Sequence, residues 1–245
     1  GTDMPIGAKG LVPTSKLYKK MYKGAPIRSS YIISNAIGQG EILTSPMQLA
    51  NMMATVANRG YYYTPHIVKN IKNQQLDKKF TTRHNTTIDK QYFEPVIQGL
   101  EDVYNHGTAS GFRVEGIKIC GKTGTAENKI RVGGKTYQLK DHSIFVAFAP
   151  RDNPKIAIAV FIENSGYGAT WAGPIATLMI EKYINGKISR TDLEERMLKG
   201  SLAPEYKKIE NIIYQRFPDR STENDSALSN VEAQLGEAKK EEEND

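Results

Sequence analysis

The chain has 245 residues, with 33 Lys+Arg against 27 Asp+Glu for a net charge of +6, and 39% of its residues are hydrophobic. That suffices for one good-sized domain of about 100–200 residues with appendages, and it excludes wholesale disorder. No apolar run approaches the ~18 residues of a membrane span, the first residues lack the regions of a signal peptide, and the lone Cys120 excludes a disulfide framework or a multi-cysteine zinc site.

Residues 1–40 read as irregular, with glycine at 7, 10, 24, 38 and 40 and proline at 5, 13 and 26. Such segments run over a surface and often line a site. A helix follows. Thr44 or Ser45 caps it, Pro46 suits its first turn, and Ser45 with Gln48 has capping-box spacing. Met47, Ala50, Met53, Ala54 and Ala57 recur at helical spacing, and Asn58 and Gly60 stop the helix. Tyr61 to Ile71 reads as extended, with a bend at Pro65, and 72–88 as a polar loop. Gln91 to Tyr104 has helical periodicity, broken by Gly107 to Gly111.

Three strands are expected next. Val114 to Lys122 alternates, while Ser143 to Ala149 and Lys155 to Glu163 are near-continuous apolar runs that suit strands covered on both faces. Pro150 to Pro154 joins the last two as a hairpin turn, and Glu127 to Asp141 is a polar connection with a turn at Gly133-Gly134. A helix from Trp171 to Ile184 ends at Gly186. Another runs from Thr191 to Lys199, with Thr191 and Glu194 as a capping box and Gly200 as the stop. A short amphipathic piece spans Ile209 to Phe217. Beyond Pro218 the chain is polar and acidic and reads as a disordered tail. These elements predict an α+β class, an antiparallel sheet with helices packed on it.

The charge is unevenly spread. Residues 221–245 carry a net of −6, so residues 1–220 hold 31 Lys+Arg against 19 Asp+Glu, a net of +12. A basic body suggests an anionic partner such as a membrane surface or charged polymer, and a solvated basic surface fits equally well. Nucleic acid is not expected: zinc-finger spacing and RNP-type aromatic strands are missing, and the lysines are scattered.

The sharpest chemical signal is Gly121-Lys122-Thr123-Gly124-Thr125-Ala126-Glu127. Lys-Thr-Gly is a signature of serine β-lactamases and penicillin-binding proteins. A strand ending this way puts a cation and two hydroxyls beside bare backbone, and Gly124 lets a substrate lie against the strand as another strand would. Alone, the tripeptide also fits a glycine-ended strand with an exposed lysine. Other residues are less telling. Asp141-His142-Ser143 cannot form a triad, because consecutive strand residues point to alternate faces. His66, His84 and His106 lack metal-ligand spacing, Cys120 suits a buried packing role, and Trp171 either rims a cleft or packs on the sheet.

Several blocks in order resemble class B penicillin-binding proteins of the penicillin-binding protein 2 type. They are Asn35 to Glu41, Thr44 to Ala50, Ala57 to Gly60, Gly107-Thr108-Ala109, Gly121 to Ala126, Asp141-His142-Ser143 and Phe148-Ala149-Pro150. Gly1 to Pro5, Gly10 to Pro13, Ile162 to Asn164, Gly166 to Gly168 and Ala172 to Ala176 agree. The match covers roughly residues 1–200. It implies a serine β-lactamase/transpeptidase-like fold, incomplete on its N-terminal side. It implies 1–187 as the C-terminal portion of a transpeptidase domain, and the element pattern and composition add 188–217 as a helical extension and 218–245 as the disordered acidic tail.

The implied chemistry is acyl transfer. A serine attacks the D-Ala–D-Ala bond of a stem peptide, and a second stem peptide resolves the acyl-enzyme. In that scheme Lys122 orients the serine network and attracts the substrate carboxylate. Thr123 and Thr125 bind that carboxylate, Gly124 admits the substrate, and the backbone N–H of Thr125 is an oxyanion donor. The implied partners are stem peptides, lipid-linked precursor, β-lactams and an elongation glycosyltransferase, at the periplasmic face of the inner membrane, through an anchor outside this chain. No cofactor or metal is implied.

One departure stands against the family pattern. None of the serines has lysine three residues on or asparagine two residues on, so the Ser-x-x-Lys and Ser-x-Asn motifs are missing from this chain. Thr87-Ile88-Asp89-Lys90 fits only loosely and falls after the 44–60 helix, whereas the family places its nucleophile before it. The expectation is therefore a transpeptidase piece without its nucleophile, with a non-catalytic module or a basic surface module as the alternative.

Overall fold

The computed structural model describes residue 3 and residues 9–215. In chain order the elements are α1 (Ser15–Met21), α2 (Ser29–Ala36), α3 (Pro46–Ala57), β1 (Tyr61–Tyr62), α4 (Lys78–Thr81), β2 (His84–Asn85) and α5 (Phe93–His106). Then come β3 (Cys120–Ala126), β4 (Lys129–Val132), β5 (Lys135–Gln138), β6 (His142–Ala149), β7 (Ile156–Ile162), α6 (Ala172–Asn185), α7 (Thr191–Lys199) and α8 (Ala203–Tyr214). The chain divides into two compact units. Of the described residues, one unit holds those up to Glu127 together with Asp141–Gly200, and the other holds Asn128–Lys140 and those from Ser201 on.

The first unit is built on a three-stranded antiparallel sheet in the order β3-β6-β7. Alternation along β6 splits its side chains between two clusters. Phe145, Ala147 and Ala149 meet Ala172, Ala176 and Ile180 of α6 on one face. Phe148, with Cys120 of β3, meets Met53 and Ala57 of α3 and Phe93 and Ile97 of α5 on the other. Helices therefore cover both faces of the α+β sheet, which is why β6 reads as a continuous apolar run. The tight turn at 150–154 sets Ala149 opposite Ile156.

Local chemistry explains the helix ends. Ser45 Oγ accepts from Gln48 N at 3.3 Å and Gln48 Oε1 accepts from Ser45 N at 2.8 Å, a complete capping box with Pro46 behind it. Gly186 ends α6 in the left-handed conformation at φ 73°. The start of α6 packs closely: a Cβ on Gly173 would lie 2.3 Å from Phe112 Cζ. Gly173→Ala should therefore cost about 1–3 kcal/mol through overpacking. A thermal melt reads this as a fall of about 2–4 °C per kcal/mol, and an unchanged Tm would show that Phe112 can swing aside.

A buried ionic knot ties α6 to the start of α7. Glu181 is 1% exposed and pairs through Oε2 with Arg190 Nε at 2.8 Å. Glu181 Oε1 accepts from the Ser189 amide at 2.9 Å and from the Ser189 hydroxyl. Arg190 Nη1 donates to the Phe112 carbonyl at 2.8 Å and to Thr177 Oγ1 at 3.2 Å. Burial pushes the Glu181 carboxyl up, but the hydrogen bonds from Ser189 and Arg190 together hold it below the usual carboxylate range.

The structure corrects several expectations. Residues 1–40 are not all irregular. α1 and α2 form there because Thr14 Oγ1 caps Leu17 N at 3.2 Å and because Tyr18, Tyr22 and Tyr31 stack, Tyr22 on Tyr31 at 4.5 Å between centroids. Between Tyr61 and Ile71 a strand forms only at Tyr61–Tyr62, where β2 supplies a partner, and the 72–88 loop includes α4 and β2. The strand predicted from Val114 instead begins at Cys120 and runs to Ala126. Val114, Ile117 and Ile119 lie in coil and are all buried in the α6-side cluster, whereas a pleated strand would turn Val114 to the opposite face from the other two.

Two helix expectations also change. Thr191 and Glu194 form no capping box, because Arg190 holds the cap position with no side-chain capping bond while its guanidinium is committed to Glu181. The helix predicted at Ile209 to Phe217 is α8, beginning earlier at Ala203 with Pro204 in its first turn. In the second unit the polar connection after Glu127 is a hairpin, β4 against β5, turning at Gly133 (φ 57°) and Gly134 (φ 83°). The predicted acidic tail, 218–245, lies outside the described residues.

Candidate active-site strand

β3 lies at one edge of the sheet, so one row of its backbone groups is free of the ladder. Lys122, Thr123, Gly124 and Thr125 all lie on it, opposite Val146, Phe145, Ile144 and Ser143. Alternation puts Lys122 on the face of Cys120, toward the α3 and α5 cluster, and Thr123 and Thr125 on the other face. Lys122 is exposed, and its Nζ donates to the Thr123 carbonyl at 2.8 Å. Thr123 Oγ1 and Thr108 Oγ1 are 2.7 Å apart, so the loop after α5 braces the strand from the side.

In an antiparallel ladder, residues alternate between those bonded to the opposite strand and those whose backbone groups point away. Gln39 Nε2 donates to the Thr125 carbonyl at 3.2 Å from a segment that is no part of the sheet. Thr125 therefore turns its backbone groups outward, and alternation turns Thr123 outward with it. Across the ladder, an ideal Cβ at Gly168 would be 2.4 Å from Ile144 O and 3.1 Å from Gly124 N, so these two lie together as a bonded pair would. The same contact shows the Gly166–Gly168 loop lying flat on β3 and β6, where any side chain at 168 would strike backbone.

Gln39 is set by a clamp that composition alone did not disclose. Tyr18 Oη and Tyr22 Oη donate to the Glu41 carboxylate at 2.8 and 2.9 Å. Those bonds hold the Glu41 carboxyl below the usual range, and the bond to Glu41 pushes the Tyr22 phenol up to about 12. Gly38 and Gly40, at φ 79° and 74°, make the bend that carries Gln39 to the strand.

The remaining candidates have structural employment. Ser143 Oγ donates to Tyr167 O and accepts from Ala172 N, both at 3.1 Å, tying the glycine loop to the start of α6. His142 Nδ1 accepts from Asn164 N at 3.1 Å, so Asp141-His142-Ser143 does not converge as a triad. Cys120 is fully buried, and burial pushes its thiol up to about 12. Trp171 packs against Gly200, where a Cβ would lie 2.3 Å from its ring, rather than rimming a cleft. His66 and His84 both bond Thr64, and among the described residues no group of three His, Cys, Asp or Glu is placed to hold a metal. No helix of the described residues is long and apolar enough to cross a membrane.

Residues 6–181 match the family model of the penicillin binding protein transpeptidase domain. The chain is 34% identical over 185 residues to peptidoglycan D,D-transpeptidase MrdA of Acinetobacter baumannii, a match covering 70% of this chain and 27% of that protein. It superposes on Pseudomonas aeruginosa PBP2 in complex with WCK 5153 with a TM-score of 0.62 at 30% identity, covering 77% of this chain and 40% of that one. PBP2 from Helicobacter pylori, solved as a complex with MreC, gives a TM-score of 0.61 at 27% identity over 76% of this chain and 33% of that one. The chain thus spans well under half the length of each of these relatives.

Proposed function

Because the chain belongs to the penicillin-binding protein transpeptidase family, we propose that it supplies the substrate-binding strand of a peptidoglycan D,D-transpeptidase serving cell elongation. The observation that carries this reading is the free polar edge of β3, where Lys122, two threonine hydroxyls and outward-facing backbone at Thr123 and Thr125 adjoin a glycine. A stem peptide lies along this edge as an added strand. Lys122 draws its carboxylate and Thr123 and Thr125 bind it. The backbone N–H of Thr125 donates to the oxyanion formed when the D-Ala–D-Ala carbonyl is attacked; losing one such donor typically costs about 2.7–4 kcal/mol.

The attacking serine and its lysine lie outside this sequence on this reading, so the chain alone is inactive. Residues 1–187 then form the C-terminal portion of the transpeptidase domain and 188–217 a helical extension. β-Lactams bind where the stem peptide does. The Helicobacter pylori complex suggests an MreC-type partner, and an elongation glycosyltransferase completes the expected assembly at the periplasmic face of the inner membrane.

Fluorescent penicillin tests the reading. The 245-residue chain alone should take up no covalent label, whereas a chain joining it to a Ser-x-x-Lys-bearing portion should be labelled at that serine. Stoichiometric labelling of a serine within this chain would overturn the missing nucleophile, and no label in the joined chain would overturn the transpeptidase reading.

A further inference from the structure

Charge is segregated within the body of the chain as well as between the body and its acidic end. No acidic residue stands between Asp3 and Glu41, yet Lys9, Lys16, Lys19, Lys20, Lys23 and Arg28 lie there. These six charges make half of the net +12 held by residues 1–220. All six side chains are exposed. Among the described residues none of the six forms an ion pair, whereas Lys118, Lys140, Lys199 and Lys208 each find a carboxylate.

α1 gives these charges an arrangement. Lys16, Lys19 and Lys20 stand at i, i+3 and i+4 on one helix face, and Lys23 follows in the turn beyond. Tyr18 and Tyr22, four residues apart, occupy the opposite face, where they hold Glu41. Like charges three and four residues apart on a helix repel one another. The helix dipole favours Lys19 and Lys20 in the last turn, but it disfavours Lys16 in a first turn that holds no acid. Local stability therefore does not account for the lysine stripe, and an anionic partner relieves its repulsion.

The stripe is tied to β3 by a short run of bonds. Tyr18 and Tyr22 bind Glu41, two residues beyond Gln39, and Gln39 Nε2 reaches the Thr125 carbonyl at 3.2 Å. We propose that the lysine face of α1 is a docking surface for the peptidoglycan strand itself, where it holds the carboxylates of stem peptides other than the one that reacts. The proposal rests on the functional reading above. Each stem peptide ending in D-Ala carries a terminal carboxylate, so a strand bearing several is a polyanion. Clustered cations raise the local concentration of such a partner and speed its arrival. An anionic bilayer fits less well, because a helix that binds membrane sets aromatic and aliphatic side chains beside its lysines. α1 turns both tyrosines onto Glu41, and of its apolar residues only Met21 is exposed.

The test uses the full 245-residue chain and fluorescently labelled glycan strands, uncrosslinked and bearing intact stem peptides, with binding read by anisotropy. Binding should saturate at low salt and weaken by about tenfold or more between about 20 and 200 mM salt, as screening of exposed charges requires. Lys16→Gln, Lys19→Gln, Lys20→Gln and Lys23→Gln, made together, should weaken it by about tenfold or more, and Gln keeps the helix propensity of Lys. Lys72→Gln, Lys90→Gln, Lys182→Gln and Lys187→Gln, made together at exposed sites on other elements, remove as much charge and should change it less than about twofold. An unchanged Tm certifies that each variant is folded. The same strands with their carboxylates converted to amides, and vesicles of anionic phospholipid, should each bind about tenfold more weakly. No saturable binding, equal losses in the two lysine sets, undiminished binding of the amidated strands or tighter binding to vesicles would each overturn the proposal, the last in favour of a membrane surface. Penicillin labelling of the chain joined to its Ser-x-x-Lys portion keeps the two readings apart. Strand binding through α1 without label sinks the transpeptidase function and leaves the docking surface standing.

Discussion

In a transpeptidase domain completed with its Ser-x-x-Lys segment, Lys122→Ala should slow penicillin acylation by about 10²–10⁴-fold, the range lost with a positioned proton-transfer or charge-stabilising group. Lys122 is exposed and its Nζ is engaged with the Thr123 carbonyl beside it, so its removal opens no cavity and leaves no buried charge. The fold should persist, with Tm within about 2 °C, less than a loss of 1 kcal/mol usually produces in a domain of this size. Stopped-flow acylation and a melt on the same sample separate the two effects. A wild-type acylation rate would make the Lys-Thr-Gly strand a structural edge. A rate lost in proportion to unfolded protein would make Lys122 a packing residue.

The largest effect on stability should come from Glu181. Glu181→Ala strands the guanidinium of Arg190, which is 18% exposed and otherwise bonded to Phe112 and Thr177. Breaking one partner of a buried pair costs about 3–5 kcal/mol. Glu195→Ala, which removes a solvent-exposed pair with Lys199, should cost under about 1 kcal/mol. Urea unfolding of the two variants side by side checks the contrast, and equal losses would refute the knot. The pH dependence has a definite sign. The Glu181 carboxyl is held below its unfolded value of about 4.3, so its stabilisation is fully present above that pH and is lost as pH falls through the lower folded value. Unfolding midpoints should therefore fall more steeply for the parent chain than for Glu181→Gln as the solution is acidified below about pH 4.3.

What the sequence disclosed, and what it withheld, follows the range of the forces involved. The α3 cap was legible because Ser45, Pro46 and Gln48 act on backbone within one turn. The β6–β7 hairpin was legible because two apolar runs flank a short turn. α1 and α2 were hidden because glycine and proline counts outweighed Thr14, the one local capping signal, and because their order depends on a tyrosine stack drawn from both. Lys122 to Thr125 are legible as a motif, but the pattern starts their strand too early, since apolar coil at Val114 to Ile119 reads as strand. Thr108 sits in a helix-breaking, family-like block and Gln39 in another, and no local signal ties either to β3, which they reach through contacts separated by 15 and 86 residues.

Cys120 is the single thiol in 245 residues, buried on the strand that carries Lys122 two positions later. A thiol raised to about 12 and sealed from solvent reacts with an alkylating reagent only when that strand lets go of its surroundings. The protein thus contains its own chemical stopwatch. Under native conditions the slow appearance of alkylated chain counts the openings of the packing around β3.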